Sequence, residues 1–198
     1  MSSKLDALIG TRIRESIEVK QQLLQSPHIE TLRDISLAVA QSLENGGKVL
    51  FAGNGGSFAD AFHLAGEFVS RFTMEREPLS SVALGGNNSI LTAIGNDYGY
   101  EDVFLREIKA LGRPGDVFIG ISTSGNSPNI VACIEAARDL DITCFGMTGS
   151  KPCRMHELCD CLKVPSPCTP RIQESHILAG HILCEIVEHL RCDPEFEI

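Results

Sequence analysis

His63 and Glu67 stand four residues apart, which on a helix puts an imidazole and a carboxylate on one face. Gln173 and His181 stand eight apart. Eight residues advance a helix roughly 80° past two full turns, so both side chains can look into one cleft. Two imidazoles, a carboxylate and an amide form a donor set for zinc or a similar divalent ion. The carboxylate and one imidazole alone make a general base and a general acid. The plainer readings are a surface pair for His63 and Glu67 and a core histidine for His181. His176, three residues from Gln173, competes with His181 on spacing. His28, His156 and His189 have no partner of note.

Two loops offer a different chemistry. STSGNS (Ser122–Ser127) follows an apolar run and opens a helix. A helix N-terminus presents unpaired N–H groups and partial positive charge. Ser122, Thr123, Ser124 and Ser127 add hydroxyls, and Gly125 permits close backbone approach. This cradle suits a phosphate dianion without any Lys or Arg. A simple N-cap turn needs fewer hydroxyls than these four. GNGGS, from Gly53 through Asn54, Gly55 and Gly56 to Ser57, also follows an apolar run. It is neither G-x-G-x-x-G nor G-x-x-x-x-G-K-[ST], which disfavours dinucleotide and nucleoside triphosphate sites. Two such loops fit a short phosphorylated ligand, one holding phosphate and the other the carbon chain.

These loops must sit on a scaffold. Helices are predicted over 2–26 and 29–45, the second stopped by Gly46-Gly47. Short apolar strands follow at Lys48–Ala52, Ser81–Leu84, Asp116–Ile121, Thr143–Met147 and Asp160–Val164. Between them run helical stretches at Phe58–Phe72, 89–95, 101–111 and Pro128–Leu140, with a last helix at about 170–191. Strands alternating with helices imply βαβ units and a parallel sheet buried on both faces. The expected fold is α/β, a three-layer sandwich with about five parallel strands. Ligands of such sheets bind at the carboxyl ends of the strands, where the loops fall. The 198 residues fit one domain, with 1–46 as N-terminal helices and 47–198 as the α/β core.

Composition narrows the class. The net charge of -9 disfavours a general nucleic-acid binder. No run approaches the roughly 20 apolar residues of a membrane span, and no signal peptide opens the chain. A cytoplasmic protein is expected. Its eight cysteines form no C-x-x-C pair and suggest no disulfide framework. Cys153, Cys159, Cys161 and Cys168 cluster loosely, but their spacing fits no standard zinc pattern.

Taken together, the motifs resemble the sugar isomerase (SIS) domain family and, within it, the phosphoheptose isomerases. The resemblance covers nearly the whole chain. It rests on GGKVLFAGNGGS, the D-A-x-H-x-A-x-E-F run from Asp60 to Phe68, LTAIGNDYGYE from Leu91, GDVFIGISTSGNSPN from Gly115 and TPRIQESHILAGHILC from Thr169. It implies a flavodoxin-like sheet and aldose–ketose isomerisation of a heptose phosphate, for surface polysaccharide synthesis. It implies Glu67 and His181 as base and acid, and one zinc ion per subunit on His63, Glu67, Gln173 and His181. Substrate contacts would come from Asn54, Gly55, Gly56, Ser57, Glu67, Asn96, Asp97, Ser122, Thr123, Ser124, Ser127 and Gln173. It also implies a homotetramer, with sites at subunit interfaces and contacts made by residues 1–46. The chain departs from the family pattern at Phe58, at Phe62 and at GGNNS (Gly85–Ser89). Those departures bear on substrate preference. The alternatives are a non-catalytic SIS-domain binding protein, disfavoured by the presence of His63, Glu67 and His181, and an isomerase of another sugar phosphate.

Overall fold

Residues 2–196 are described by a computed structural model. Helices α1 (Ser2–Leu23) and α2 (His28–Glu44) lead into β1 (Val49–Gly53) and α3 (Gly56–Val69). Then come β2 (Ser81–Ala83), α4 (Asn88–Asp97), a 3-10 turn (Tyr100–Asp102), α5 (Val103–Leu111), β3 (Val117–Ile121) and α6 (Pro128–Arg138). The chain closes with β4 (Thr143–Gly149), α7 (Met155–Leu158), β5 (Asp160–Val164) and α8 (Thr169–Cys192).

The five strands are all parallel, in the order β2-β1-β3-β4-β5. Every residue of β1 and β3 is buried, as strands covered on both faces require. Val49, Phe51, Ile119 and Met147 face one core with Ile35 and Val39 of α2, Leu64 and Phe68 of α3, and Leu183 and Val187 of α8. Leu50 and Phe118 face the other with Phe104 and Ile108 of α5, Ile130 and Ile134 of α6, and Met155. The result is the expected α/β sandwich of three layers.

The strand order reverses between β1 and β3, which makes their carboxyl ends the switch point where such sheets bind ligands. The register pairs Gly53 with Ile121, the last residue of each strand. GNGGS and STSGNS therefore leave the sheet side by side at one level. At the opposite end, Lys48 and Asp116 stand just outside the two strands rather than beginning them. The Lys48 Nζ lies 2.6 Å from the buried Asp116 carboxylate, which also accepts the Lys48 N–H at 3.0 Å and the Arg113 N–H at 2.8 Å. That clamp sets the register of the central pair.

Some boundaries differ from the sequence expectation. α1 stops at Leu23 rather than 26, in a turn ahead of Pro27. α3 stops at Val69 rather than Phe72, because Ser70 leaves helical dihedrals and residues 72–74 turn their N–H groups toward α8. The one-turn α7 was not expected. Among the described residues, no helix is long and apolar enough to cross a membrane.

Candidate active site

α3 and α8 pack side by side, and their facing surfaces carry the candidate acid/base and metal groups. His63 Nε2 lies 2.9 Å from His181 Nε2 and 3.3 Å from Glu67 Oε1. Among the described residues these three side chains form the group able to hold a metal ion, their ligand atoms all within 4.8 Å of one another. Ligand atoms around a tetrahedral zinc sit roughly 3.3 Å apart, given metal–nitrogen bonds of about 2.0 Å. The three groups fit that donor set, and two ring nitrogens facing each other favour a cation or a shared proton between them. His63 is half exposed, so one side of the cluster opens to solvent.

His176, the competitor on spacing, is a core residue. It is 1% exposed, its Nε2 contacts the Thr148 carbonyl at 3.2 Å, and its Nδ1 has no partner. Burial pushes its pKa down to about 4, so it stays neutral. Gln173 stands two turns before His181, with its amide over the GNGGS loop. A Cβ on Gly56 would fall 2.7 Å from Gln173 Nε2.

GNGGS passes directly into α3. Gly55 is the N-cap at φ 58, a backbone conformation that glycine adopts freely. The first N–H groups of α3 have no partner inside the helix. Asn54 is engaged elsewhere: its amide and that of Asn129 on α6 exchange two hydrogen bonds, each 2.9 Å. Tyr100 also donates to Asn54 Oδ1 at 2.9 Å. Asn96 bonds Asp97 at 2.8 Å, and both lie exposed at the end of α4. Among the described residues, neither hydrogen-bonds to a loop of the switch point.

STSGNS folds into a tight cradle at the start of α6. Ser122 Oγ lies 2.9 Å from Ser127 Oγ and 3.4 Å from Ser124 Oγ, and it accepts the Gly125 N–H at 3.1 Å. Gly125 sits at φ 64, and a Cβ there would fall 2.1 Å from Cys153 Sγ, so any side chain at this position is strained and must displace Cys153. Thr123 and Ser124 line a cavity of about 240 Å³ together with Lys151 and the first residue of α8, Thr169. Lys151 supplies a cation that the loop itself lacks. A larger cavity, about 590 Å³, runs along edge strand β5 and is lined by none of the candidate residues.

Sequence reasoning missed several groups at this site. Asp60 lies one turn before His63. Burial raises its pKa, while His63 and His181 pull it down, and its Oδ2 is buried without a hydrogen bond. The D-A-x-H spacing was the available signal. Tyr100 and Asn129 lie within the LTAIGNDYGYE and GDVFIGISTSGNSPN motifs, which were the signal for them, whereas Lys151 carried none. The three departures from the family pattern turn out to be one packing unit. The Phe58 and Phe62 rings pack against each other, with centroids 4.5 Å apart and planes tilted by 35°. A Cβ on Gly85 would fall 2.8 Å from Phe58, and one on Gly86 3.1 Å from Phe62. Cysteine does not gather into a metal site: all eight are free thiols, and only Cys159 and Cys161 bring their sulfurs to 3.8 Å.

Comparison with known proteins agrees with this arrangement. Residues 13–149 match the SIS domain family. Phosphoheptose isomerase 2 of Campylobacter jejuni is 55% identical over 186 residues, 93% of this chain and 92% of that protein. Phosphoheptose isomerase of Aneurinibacillus thermoaerophilus is 54% identical over 91% of this chain and 92% of its own length. The solved phosphoheptose isomerase of Neisseria gonorrhoeae superimposes with a TM-score of 0.87 at 40% identity, covering 93% of this chain and 98% of that one. The family match spans most of the chain and the relatives match over nearly full length, so the chain belongs to the SIS domain family, among the phosphoheptose isomerases.

Proposed function

We propose that the protein interconverts sedoheptulose 7-phosphate and D-glycero-D-manno-heptose 7-phosphate by moving a proton between C1 and C2. The observation that carries this reading is the convergence of His63 and Glu67, on the helix that one strand-end loop opens, with His181 of α8, while a second, hydroxyl-rich loop leaves the neighbouring strand at the same level. The STSGNS hydroxyls and the α6 N-terminus hold the phosphate, with Lys151 at the cavity wall. The GNGGS backbone holds the carbon chain. Glu67 takes a proton from C1 while His181 gives one to the C2 oxygen, forming an enediol. His181 then takes the proton from O1, and Glu67, whose carboxyl proton exchanges with solvent at the enediol stage, delivers a proton to C2, leaving an aldehyde at C1.

Zinc would be held by His63, Glu67 and His181, with Gln173 as the fourth donor. When bound, it supplies positive charge that stabilises the negatively charged oxygen. Assembly as a homotetramer with sites at subunit interfaces is part of the same reading. It is supported by α1, whose Leu5, Leu8, Ile9, Ile13 and Ile17 are all about half exposed or more. An apolar stripe of that length calls for a covering partner. Free cysteines are consistent with a reducing cytoplasm. The product would serve heptose synthesis for surface polysaccharide.

The test is to follow sedoheptulose 7-phosphate by NMR in D2O, with and without a chelator, on protein whose mass is known from light scattering. The expected result is an aldose carrying deuterium at C2, formed by a tetramer and slowed by chelation. Stable substrate with intact protein would overturn the assignment, and chelator-insensitive turnover would remove the metal from it.

A further inference from the structure

The segment between α3 and β2, residues 70–80, has no helix or strand, yet it is tied down at one point. Glu188 of α8, two turns beyond His181, is completely buried. It accepts the N–H groups of Phe72 at 2.9 Å, Thr73 at 2.6 Å and Met74 at 3.0 Å, and the Thr73 hydroxyl at 2.8 Å. It also accepts Arg76 Nε at 2.8 Å, from a side chain only 4% exposed. Burial alone would raise the Glu188 pKa, but these donors hold it down at about 2.

Arg76 reaches back to the last turn of α3, where carbonyls lack helical partners. Its Nη1 donates to the Phe68 carbonyl at 2.9 Å, and its Nη2 to the carbonyl of Glu67 itself at 2.9 Å. At the other end of the segment, the Phe72 ring lies over His181, centroids 5.4 Å apart and planes 30° apart. One buried ion pair therefore holds the main chain of Glu67 and sets the ring against which His181 rests.

We infer that Glu188 and Arg76 form a positioning network that fixes Glu67 and His181 relative to each other, with Phe72 as its contact on His181. The inference rests on the acid/base roles given to those two residues. Neither Glu188 nor Arg76 reaches the substrate loops, so their loss should act on turnover and not on substrate affinity. Misplacing reacting groups by about 1 Å costs on the order of 100-fold in rate.

The test uses full-length Arg76→Lys, Phe72→Leu and Phe72→Tyr with saturating zinc, each checked for a cooperative melt. Arg76→Lys and Phe72→Leu are expected to lower kcat about 10- to 100-fold, while KM and the affinity for inorganic phosphate stay within about two-fold. Phe72→Tyr, which keeps the ring, should recover most of kcat. Every bond from residue 72 to Glu188 comes from the backbone, so the Phe72 variants decide the matter even if Arg76→Lys does not fold. Folded variants with unchanged kcat, or with a raised KM at full kcat, would overturn the network. Glu67→Gln run alongside separates the two ideas: normal turnover there removes the acid/base reading itself, whereas an inactive Glu67→Gln beside fully active network variants removes only the network.

Discussion

Single side chains in this site have sharply different surroundings, and those surroundings sort their roles. His181 sits beside His63 and Glu67 with open access, whereas His176, five residues earlier on the same helix, is sealed against Thr148. Spacing along α8 does not separate them, because burial depends on what the rest of the chain places over each face. Ser124 is a cleaner case. Its hydroxyl accepts only the Asn126 N–H and a long contact to Ser122, and it faces the cavity shared with Lys151. Ser124→Ala should therefore leave the loop folded and raise KM for the phosphorylated substrate about 10-fold, a loss of one hydrogen bond to a charged group at about 1.5 kcal/mol. Steady-state kinetics check this, and an unchanged KM would place the phosphate outside the cradle.

At the scale of elements, Phe58 and Phe62 on α3 and Gly85 and Gly86 before α4 act as one joint. The glycines leave the space that the two rings occupy. Gly86 has no positive φ, so Gly86→Ala presses a methyl on the half-exposed Phe62 ring, and the crowding should cost up to about 1 kcal/mol. Adding Phe62→Ala should recover much of that loss, because the clash is with its ring. Urea unfolding of the two single variants and the double checks the coupling; strictly additive losses would mean that the joint is not one unit.

The elements themselves were largely legible, since short apolar runs ending in glycine and serine loops announce strands and helix starts. The two loops at the switch point were legible for the same reason. What escaped was set by distant partners. The end of α3 is decided by Glu188, more than a hundred residues away. Asn54 reads as a ligand contact, and its pairing with Asn129 on α6 is a second feature that spacing could not show. The phosphate cradle reads as cation-free, yet β4 brings Lys151 to it.

For the whole molecule, two buried groups shape stability at low pH. His176 has a folded pKa of about 4 against an ordinary 6.5, so the folded protein binds fewer protons than the unfolded chain between those values. Its contribution is complete above pH 6.5 and is lost as pH falls through about 4. Glu188, at about 2 against 4.5, contributes fully above pH 4.5 and loses that contribution as pH falls toward 2. Unfolding free energy measured against pH should thus decline in two stages. His176→Gln should flatten the first stage and leave the second. An unaltered slope between pH 6.5 and 4 would show that His176 does not drive it.

The paired amides of Asn54 and Asn129 have a mechanical meaning as well. They rivet the loop after β1 to the helix after β3, and the strands below already fix the spacing of the two roots. The STSGNS and GNGGS loops cannot slide past each other. On the roles proposed for the two loops, they work as a gauge block, and an incoming sugar would be measured against a set length instead of moulding the site to its own.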